Sequence, residues 1–419
     1  MSPAERAVEH VTCLGCGCAC DDITLVVKQD RVAAARNACT LGVAWFGDGS
    51  ASHEVRVDGR STSLEQALAR AAEILRAAKR PLVYLAADIS CEAQREAVAI
   101  GDHLGAMLDT LTSAAAASVL AAQRRGRAGA TLGELRQRAD VIVFWGVDPA
   151  TRYPRFASRY AVEPRGLQAP DGRRSRRVVA VDVGSSRAVA DADARVAVAA
   201  ADELDALGVL RAIAQGRVAS EDARFHPIAE LARAMMQARY VALVADGEPA
   251  GPPDDLAPDR AEALVTLAQA LNGPTRCALA TLRGGGNRSG ADAVITWQTG
   301  FPFAVDFAPG YPTYRPHAGA AALLDAGEVD AALVIGSPAS VPAPVVNRLT
   351  RLPAVGIGPR ASAALFQPAV AVDTGVAGIH ESGTAFRMDD VPLPLRAALT
   401  GPPSTTASAL HALRQQLGA

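Results

Sequence analysis

The sequence has little aromatic content, with three Trp, six Tyr and nine Phe in 419 residues. It is nonetheless 49% apolar, so its cores should be built from small aliphatic side chains, with helices packed closely on sheets. An excess of one charge is also missing. Lys and Arg number 42 against 44 Asp and Glu, a net charge of −2, which removes the bulk electrostatic case for nucleic acid or an anionic membrane. No apolar run reaches the roughly 18–20 residues needed to cross a bilayer. The opening Met1-Ser-Pro-Ala-Glu-Arg6 lacks the charged-then-apolar pattern of a secretory leader. A cytoplasmic protein with neither membrane nor nucleic acid as partner is expected. The length leaves room for two or three domains.

Cysteine is scarce but unevenly placed: five of the seven are Cys13, Cys16, Cys18, Cys20 and Cys39. Thiolates are soft ligands for zinc or iron–sulfur clusters, and four converging thiolates satisfy either. Read as C-x2-C-x3-C with a later fourth, the ligand set is Cys13, Cys16, Cys20 and Cys39, with Cys18 outside it. That spacing suits a 4Fe-4S cubane better than a structural zinc with two C-x-x-C knuckles. Free thiols left from a lost site and a disulfide scaffold are the competing readings, the second opposed by chain size and the missing leader. Residues 1–60 form a small β-rich module, with strands at Ile23–Val27 and Arg31–Ala35, and a metal would be its natural staple. Cys91 and Cys277 stand alone in apolar surroundings and read as core residues.

From residue 61 the pattern alternates. A helix at Ser63–Lys79, opened by a Ser63/Gln66 capping box, precedes the apolar strand Leu82–Ala86. Further strands are expected at Ala106–Leu108, Val141–Gly146, Val178–Val183, Tyr240–Ala245, Cys277–Thr281, Ala331–Gly336, Ala354–Ile357 and Ala369–Val372. Amphipathic segments separate most of them. The fold class is therefore α/β, with doubly wound parallel sheets covered on both faces. Linkers at Pro164–Arg177 and Gly247–Pro258 suggest one α/β grouping of 61–250 with 331–400, a second unit at 251–330, and a C-terminal tail at 401–419, a short polar helix that is peripheral or at a subunit contact. An internal repeat is visible: Val141 to Pro149 parallels Ala331 to Pro338, and each is followed by a strand ending in a Ser- and Arg-bearing loop. Two nucleotide-type crevices at strand carboxyl ends would explain it.

Leu282-Arg-Gly-Gly-Gly-Asn-Arg-Ser-Gly-Ala291 follows an expected strand. Its glycines permit close backbone approach and an anion-binding nest, and Arg283 and Arg288 suit phosphate or carboxylate. Gly285 and Asn287 belong to the same candidate binding loop. The scarce aromatics crowd just beyond, in Trp297-Gln-Thr-Gly-Phe-Pro-Phe-Ala-Val-Asp306 and Gly310-Tyr-Pro-Thr-Tyr314, a composition suited to a pocket or subunit interface.

Those two aromatic motifs, the cysteine motif ending in Asp21-Asp22, and Gly383-Thr-Ala-Phe-Arg-Met-Asp-Asp-Val-Pro-Leu393 together resemble the B subunit of formylmethanofuran dehydrogenase, over nearly the whole chain. The wider family comprises molybdenum/tungsten bis-pterin oxidoreductases. The resemblance implies an N-terminal cubane cluster and two α/β nucleotide-binding units, with Asp148 and Asp182 at positions lining a dinucleotide site. One departure decides the function. The family's metal-ligating cysteine or selenocysteine, followed by histidine, falls in Asp109 to Ser118, where this chain has Ala114, Ala115, Ala116 and Ala117. Alanine offers molybdenum or tungsten no soft ligand, so molybdopterin or tungstopterin and the redox chemistry are expected to be lost. In the second crevice, Gly336-Ser-Pro338 lacks a counterpart of Asp148.

This degenerate pattern resembles the B subunit of the bacterial formyltransferase/hydrolase complex. The likeness implies a non-redox, structural and carrier-binding subunit without its own catalytic residues. Its partners would be formyltransferase, amidohydrolase-like and C subunits. The complex would move formyl from formyl-tetrahydromethanopterin to a methanofuran-type carrier and release formate. The carrier's acidic tail would meet Arg283 and Arg288, or the clusters at Arg124–Arg127 and Arg173–Arg177, which otherwise read as solvated loop charge. A working dehydrogenase with Ser113 or Ser118 as metal ligand, and a scaffold that binds no carrier, are the alternatives.

Overall fold

Apolar strands alternating with helices bury their backbone polar groups only by pairing side by side, and in the computed structural model they form two separate parallel sheets. Residues 5–217, 223–249 and 254–418 are described; positions 250–253 of the second expected linker therefore lie outside the described residues. The chain divides into one unit of Met1–Ala114 with Gly285–Ala419 and another of Ala115–Gly284. This differs from the grouping expected from linkers. Strand Pro81–Leu85 does pair with Ala331–Ile335, as that grouping requires, but Val141–Trp145, assigned to the same group, belongs to the other unit's sheet. Proline and glycine mark exposed turns, and such turns need not mark the points where a chain changes cores.

The first unit carries a nine-stranded sheet. Its centre is parallel, in the order Met107–Thr110, Pro81–Leu85, Ala331–Ile335, Ala354–Gly358, Val370–Asp373. Short antiparallel strands close both edges. Helices Leu64–Ala77, Cys91–His103, Arg288–Thr299 and Thr406–Leu417 cover one face, and Ala320–Asp325 with Ala343–Leu349 cover the other. Ser63 caps the first helix by accepting from the Gln66 amide at 3.2 Å. The Gln66 side chain turns instead to Thr62, so only half of the expected capping box forms. The C-terminal tail is not peripheral. Ala409, Leu410, Leu413 and Leu417 are buried in this unit's main core, because every third or fourth position of that helix is apolar.

The second unit's sheet has five strands, all parallel, in the order Ala194–Val198, Arg177–Val183, Val141–Trp145, Val241–Asp246, Cys277–Leu282. The internal repeat is visible in the topology. Val141–Trp145, Arg177–Val183 and Ala194–Val198 run outward from the sheet centre as Ala331–Ile335, Ala354–Gly358 and Val370–Asp373 do in the first unit. In each sheet the strand order reverses beside the first member of that trio. Those reversals are topological switch points, the places where open α/β sheets form crevices.

Among the described residues no helix is long and apolar enough to cross a membrane.

Candidate functional site

The five N-terminal cysteines stay close in space. Cys13, Cys16, Cys18 and Cys20 occupy the connection between antiparallel strands Arg6–Val11 and Ile23–Lys28, and Cys39 precedes helix Thr40–Phe46. All five lie outside any disulfide, and four of them are buried. The Cys13 amide donates to the Cys20 carbonyl at 2.9 Å, and the Cys13 sulfur accepts from the Gly15 amide at 3.4 Å. Burial pushes the Cys13 thiol well up, and neighbouring Cys16, Cys20 and Cys39 raise it further. A hydrogen bond with Cys16, then burial, does the same to Cys18. The donor atoms are right in kind for a cluster or zinc. Yet among the described residues no three His, Cys, Asp or Glu side chains stand where one metal ion could be held. The Cys13 and Cys18 thiols are pushed toward the neutral form.

The glycine-rich loop packs against this cysteine connection. The Gly286 amide donates to the Leu14 carbonyl at 2.8 Å, and the Asp88 amide donates to the Gly286 carbonyl at 3.1 Å. A Cβ on Gly285 would lie 2.1 Å from the Leu14 oxygen, so only glycine allows the approach. Asn287, with φ at 63°, donates to the Ile89 carbonyl at 2.9 Å and accepts from the Phe386 amide at 2.8 Å. Arg288 acts electrostatically on Asp88 and Tyr84. Arg283 forms a buried ion pair with Glu248 at 3.1 Å, and Glu248 also accepts from the Gly284 amide at 3.0 Å. The residues expected to bind a carrier are thus held in internal packing.

The arginine clusters are similarly engaged. Arg124 and Arg125 both reach Glu262, at 3.2 and 2.8 Å. Arg173 forks onto Asp193, and buried Arg176 donates to three backbone carbonyls. His380 is buried between the Gly49 carbonyl and the Val376 amide; burial, first, lowers its pKa, which marks a neutral structural histidine.

The segment that would carry a metal ligand follows Met107–Thr110. Asp109, Thr110 and Thr112 are buried, and Leu111–Ala115 forms a 3-10 turn before helix Ala117–Arg125. The Ser113 hydroxyl is committed: it lies 2.7 Å from an Asp109 oxygen and donates to the Thr110 carbonyl at 3.0 Å. Asp109 also accepts from the Ala320 amide at 2.6 Å and the Ala304 amide at 3.3 Å. Burial pushes its carboxyl from 3.8 up to about 6, against those hydrogen bonds. A carboxyl raised in the fold holds its proton more tightly there than in the unfolded chain. Its stabilising contribution is complete below pH 3.8 and is lost as pH rises through about 6. Urea unfolding of Asp109→Asn between those pH values should therefore lack the part of the wild-type decline in stability that this group supplies. An identical slope in the variant refutes the assignment.

The switch points of the two sheets differ. In the first unit Gly336 and Gly286 approach Ala87 closely. A Cβ on Gly336 would lie 2.5 Å from the Ala87 oxygen, and one on Gly286 would lie 2.3 Å from the Ala87 Cβ. In the second unit a cavity of about 310 Å³ opens at the carboxyl ends of Val141–Trp145 and Val241–Asp246. Trp145, Glu203, Asp246, Arg260, Ala261 and Thr281 are among its lining residues. The Trp145 indole donates to Glu203 at 2.9 Å, and Arg260 joins Glu203 at 2.6 Å to Asp254 at 2.6 Å. Burial raises the Asp246 carboxyl against the pull of the Glu248 amide and Arg152. Expected dinucleotide residues Asp148 and Asp182 are not among the lining residues. Asp148 accepts from the Ala150 amide at 2.9 Å. Asp182, which burial works to raise, is held below the usual range by the Ala188 amide and by Arg195 and Arg187. Asp246 and Trp145 escaped the sequence reading, although each ends an apolar strand at the end where ligands collect.

A search of family profiles finds no match. Among curated proteins, the chain is 32% identical over 412 residues to the B subunit of tungsten-containing formylmethanofuran dehydrogenase 2 from Methanococcus maripaludis, covering 94% of each chain. Its counterpart in Methanocaldococcus jannaschii is 32% identical over 417 residues, with 95% of each covered. The B subunit of the formyltransferase/hydrolase complex Fhc of Methylorubrum extorquens is 32% identical over 291 residues, 69% of this chain and 75% of that protein. Among solved structures, a chain in the crystal structure of the Methylorubrum extorquens complex FhcABCD with methylofuran matches with a TM-score of 0.72 and 28% identity. The match covers 87% of this chain and 98% of that one.

Proposed function

This chain belongs to the family of formylmethanofuran dehydrogenase B subunits, and from that premise we propose that it is the non-redox B subunit of a formyltransferase/hydrolase complex. The observation that carries the reading is the segment Asp109 to Ser118. It offers no thiolate, selenolate or imidazole where a bis-pterin molybdenum or tungsten would need one. Ser113, one of the two serines considered as a substitute ligand, is already committed to Asp109 and Thr110. Two further features agree. At the first unit's switch point, where one pterin dinucleotide would lie in a bis-pterin protein of this architecture, Gly336 and Gly286 pack closely against Ala87 and Gly358 against Gly336. Of the cysteines that would pass electrons, burial pushes the Cys13 thiol well up.

In this role the two α/β units act as a scaffold. The partners are the formyltransferase, amidohydrolase-like and C subunits, and a methanofuran-type carrier is handled within the assembly. Arg283 and Arg288 contribute through the structure of the loop, since Arg283 is ion-paired with Glu248. The test is anaerobic purification of the chain with its native partners, followed by analysis for molybdenum, tungsten and iron and by two assays. Formyl transfer to the furan carrier with formate release is expected, without viologen-linked oxidation of formylated carrier and with only trace molybdenum and tungsten. Stoichiometric tungsten or molybdenum together with viologen activity would overturn the proposal in favour of a working dehydrogenase.

A further inference from the structure

We infer that the amino-terminal edge of the second unit's sheet docks an extended, acidic segment of a partner protein, seated by arginine–carboxylate pairs and by Leu167. This goes beyond the subunit role, and it rests on that role only in taking the partner from the purified assembly.

Backbone hydrogen bonds set the strand starts side by side. The Val241 amide donates to the Arg276 carbonyl, Val141 to Tyr240 and Arg177 to Asp140. Four adjacent strands therefore begin with an arginine at, or within three residues of, the first position: Arg177, Arg138, Arg239 and Arg276. All four are exposed, and the segments that make up this edge, 124–140, 163–178, 239–240 and 269–277, are all described. The nearby carboxylates are engaged. Asp140 accepts from the Arg239 and Tyr240 amides at 3.1 and 2.9 Å and meets the Arg239 guanidinium only at 3.5 Å. Asp193 takes the Arg173 fork and the Val178 amide. Among the described residues no carboxylate lies within ion-pair distance of Arg138, Arg177 or Arg276, and Arg177 acts on Asp193 from farther off.

Spacing and apolar exposure decide the occupant. Neighbouring strands lie about 4.8 Å apart, so the row from Arg177 to Arg276 spans roughly 14 Å, the length of four or five extended residues. Arginine grips a carboxylate through two parallel N–H bonds, which fixes a partner's register as well as its charge. Beside Arg276 a groove of about 420 Å³ is lined by Arg127, Glu134, Tyr240 and Asn272 among others. Next to Arg138, Leu167 is 79% exposed on a loop pinned by Gln137. The Leu167 amide donates to the Gln137 side chain at 2.9 Å, and the Gln168 amide to the Gln137 carbonyl at 2.8 Å. A leucine held open beside arginines suits an apolar residue within an acidic peptide. Nucleic acid fits less well. The ring at this edge, Tyr240, is buried and gives bases no stacking surface. Glu134 and Asp140 would also repel a phosphate chain, whereas a protein segment can set neutral residues against them.

A photo-crosslinking benzoylphenylalanine in place of Leu167, irradiated in the full chain purified with its native partners, identifies the occupant. Mass spectrometry should find the cross-link in a stoichiometric partner, on a segment where Asp and Glu outnumber Lys and Arg. Arg138→Glu, Arg177→Glu and Arg276→Glu together should cut that cross-link about tenfold or more while leaving the melting temperature close to wild type. In the wild type it should also weaken as salt rises from about 0.1 to 1 M, because the screening length falls from about 10 to 3 Å. If the triple variant misfolds, Arg138→Gln, Arg177→Gln and Arg276→Gln report instead. No cross-link in the intact complex would overturn the inference. So would a cross-link to RNA, to a second copy of this chain or to a segment without excess acid, or an undiminished cross-link in the folded variant. A cross-link to an acidic segment in an assembly that proves to be a working dehydrogenase supports the inference while overturning the non-redox reading.

Discussion

Replacing Gly285 by alanine is expected to destabilise the protein by about 3 kcal/mol, at the upper end of what forced overpacking costs. The added Cβ would sit 2.1 Å from the Leu14 oxygen and 2.7 Å from the Cys16 nitrogen. Both are backbone atoms of the cysteine connection, so no side chain can swing aside. Gly208 provides the control. It lies within helix Glu203–Ala214 with nothing within 4 Å of a built Cβ, and Gly208→Ala should raise stability by roughly 0.5–1 kcal/mol. Urea midpoints moving in opposite directions would confirm that the glycine loop and the cysteine connection hold each other. A wild-type midpoint for Gly285→Ala would show that the loop does not pack there.

Removing the Arg283 guanidinium carries the other large effect. Its side chain is 11% exposed and that of its partner Glu248 is 5% exposed. Arg283→Ala removes the cation seen paired with buried Glu248, a change that costs on the order of 3–5 kcal/mol. Glu248 keeps its other contacts, the Gly284 amide among them. Removing both charges should be less harmful than the sum of the single changes, and a double-mutant cycle of unfolding free energies with Glu248→Ala measures the coupling. A carrier-contacting role predicts the opposite pattern, with unchanged stability and weakened carrier affinity. Additive single effects would sink the ion-pair account.

Much of the fold was legible because its signals are local. Runs such as Leu82–Ala86 and Val141–Gly146 are apolar throughout because both faces of a parallel strand are covered, and all five residues of Pro81–Leu85 and of Val141–Trp145 are buried. The repeat was readable for the same reason, since each copy keeps a strand, a turn and a second strand in one order. Unit boundaries were not legible. The Pro- and Gly-rich linkers report exposure, whereas the chain passes between units elsewhere, at Ala114/Ala115 in an alanine run and at Gly284/Gly285 in the glycine-rich loop.

Residue types in the candidate sites could be read from the sequence, but their partners could not. The sequence by itself determined that the Asp109–Ser118 segment has no soft ligand, because a missing side-chain type is a fact of composition. It also grouped the five cysteines, because a short chain segment keeps neighbours together. Tertiary structure decided everything that depends on distant chain segments meeting. It turned Gly285 and Asn287 from binding-loop candidates into packing residues against Leu14, Ile89 and Phe386. It paired Arg283 with Glu248, 35 positions away. It packed Gly286 and Gly336 against Ala87 at one switch point and set Trp145, Glu203 and Asp246 around a cavity at the other. The physical reason is that a hydrogen bond or a steric contact acts over about 3–4 Å. Which groups come within that range is set by how the strands order themselves in a sheet.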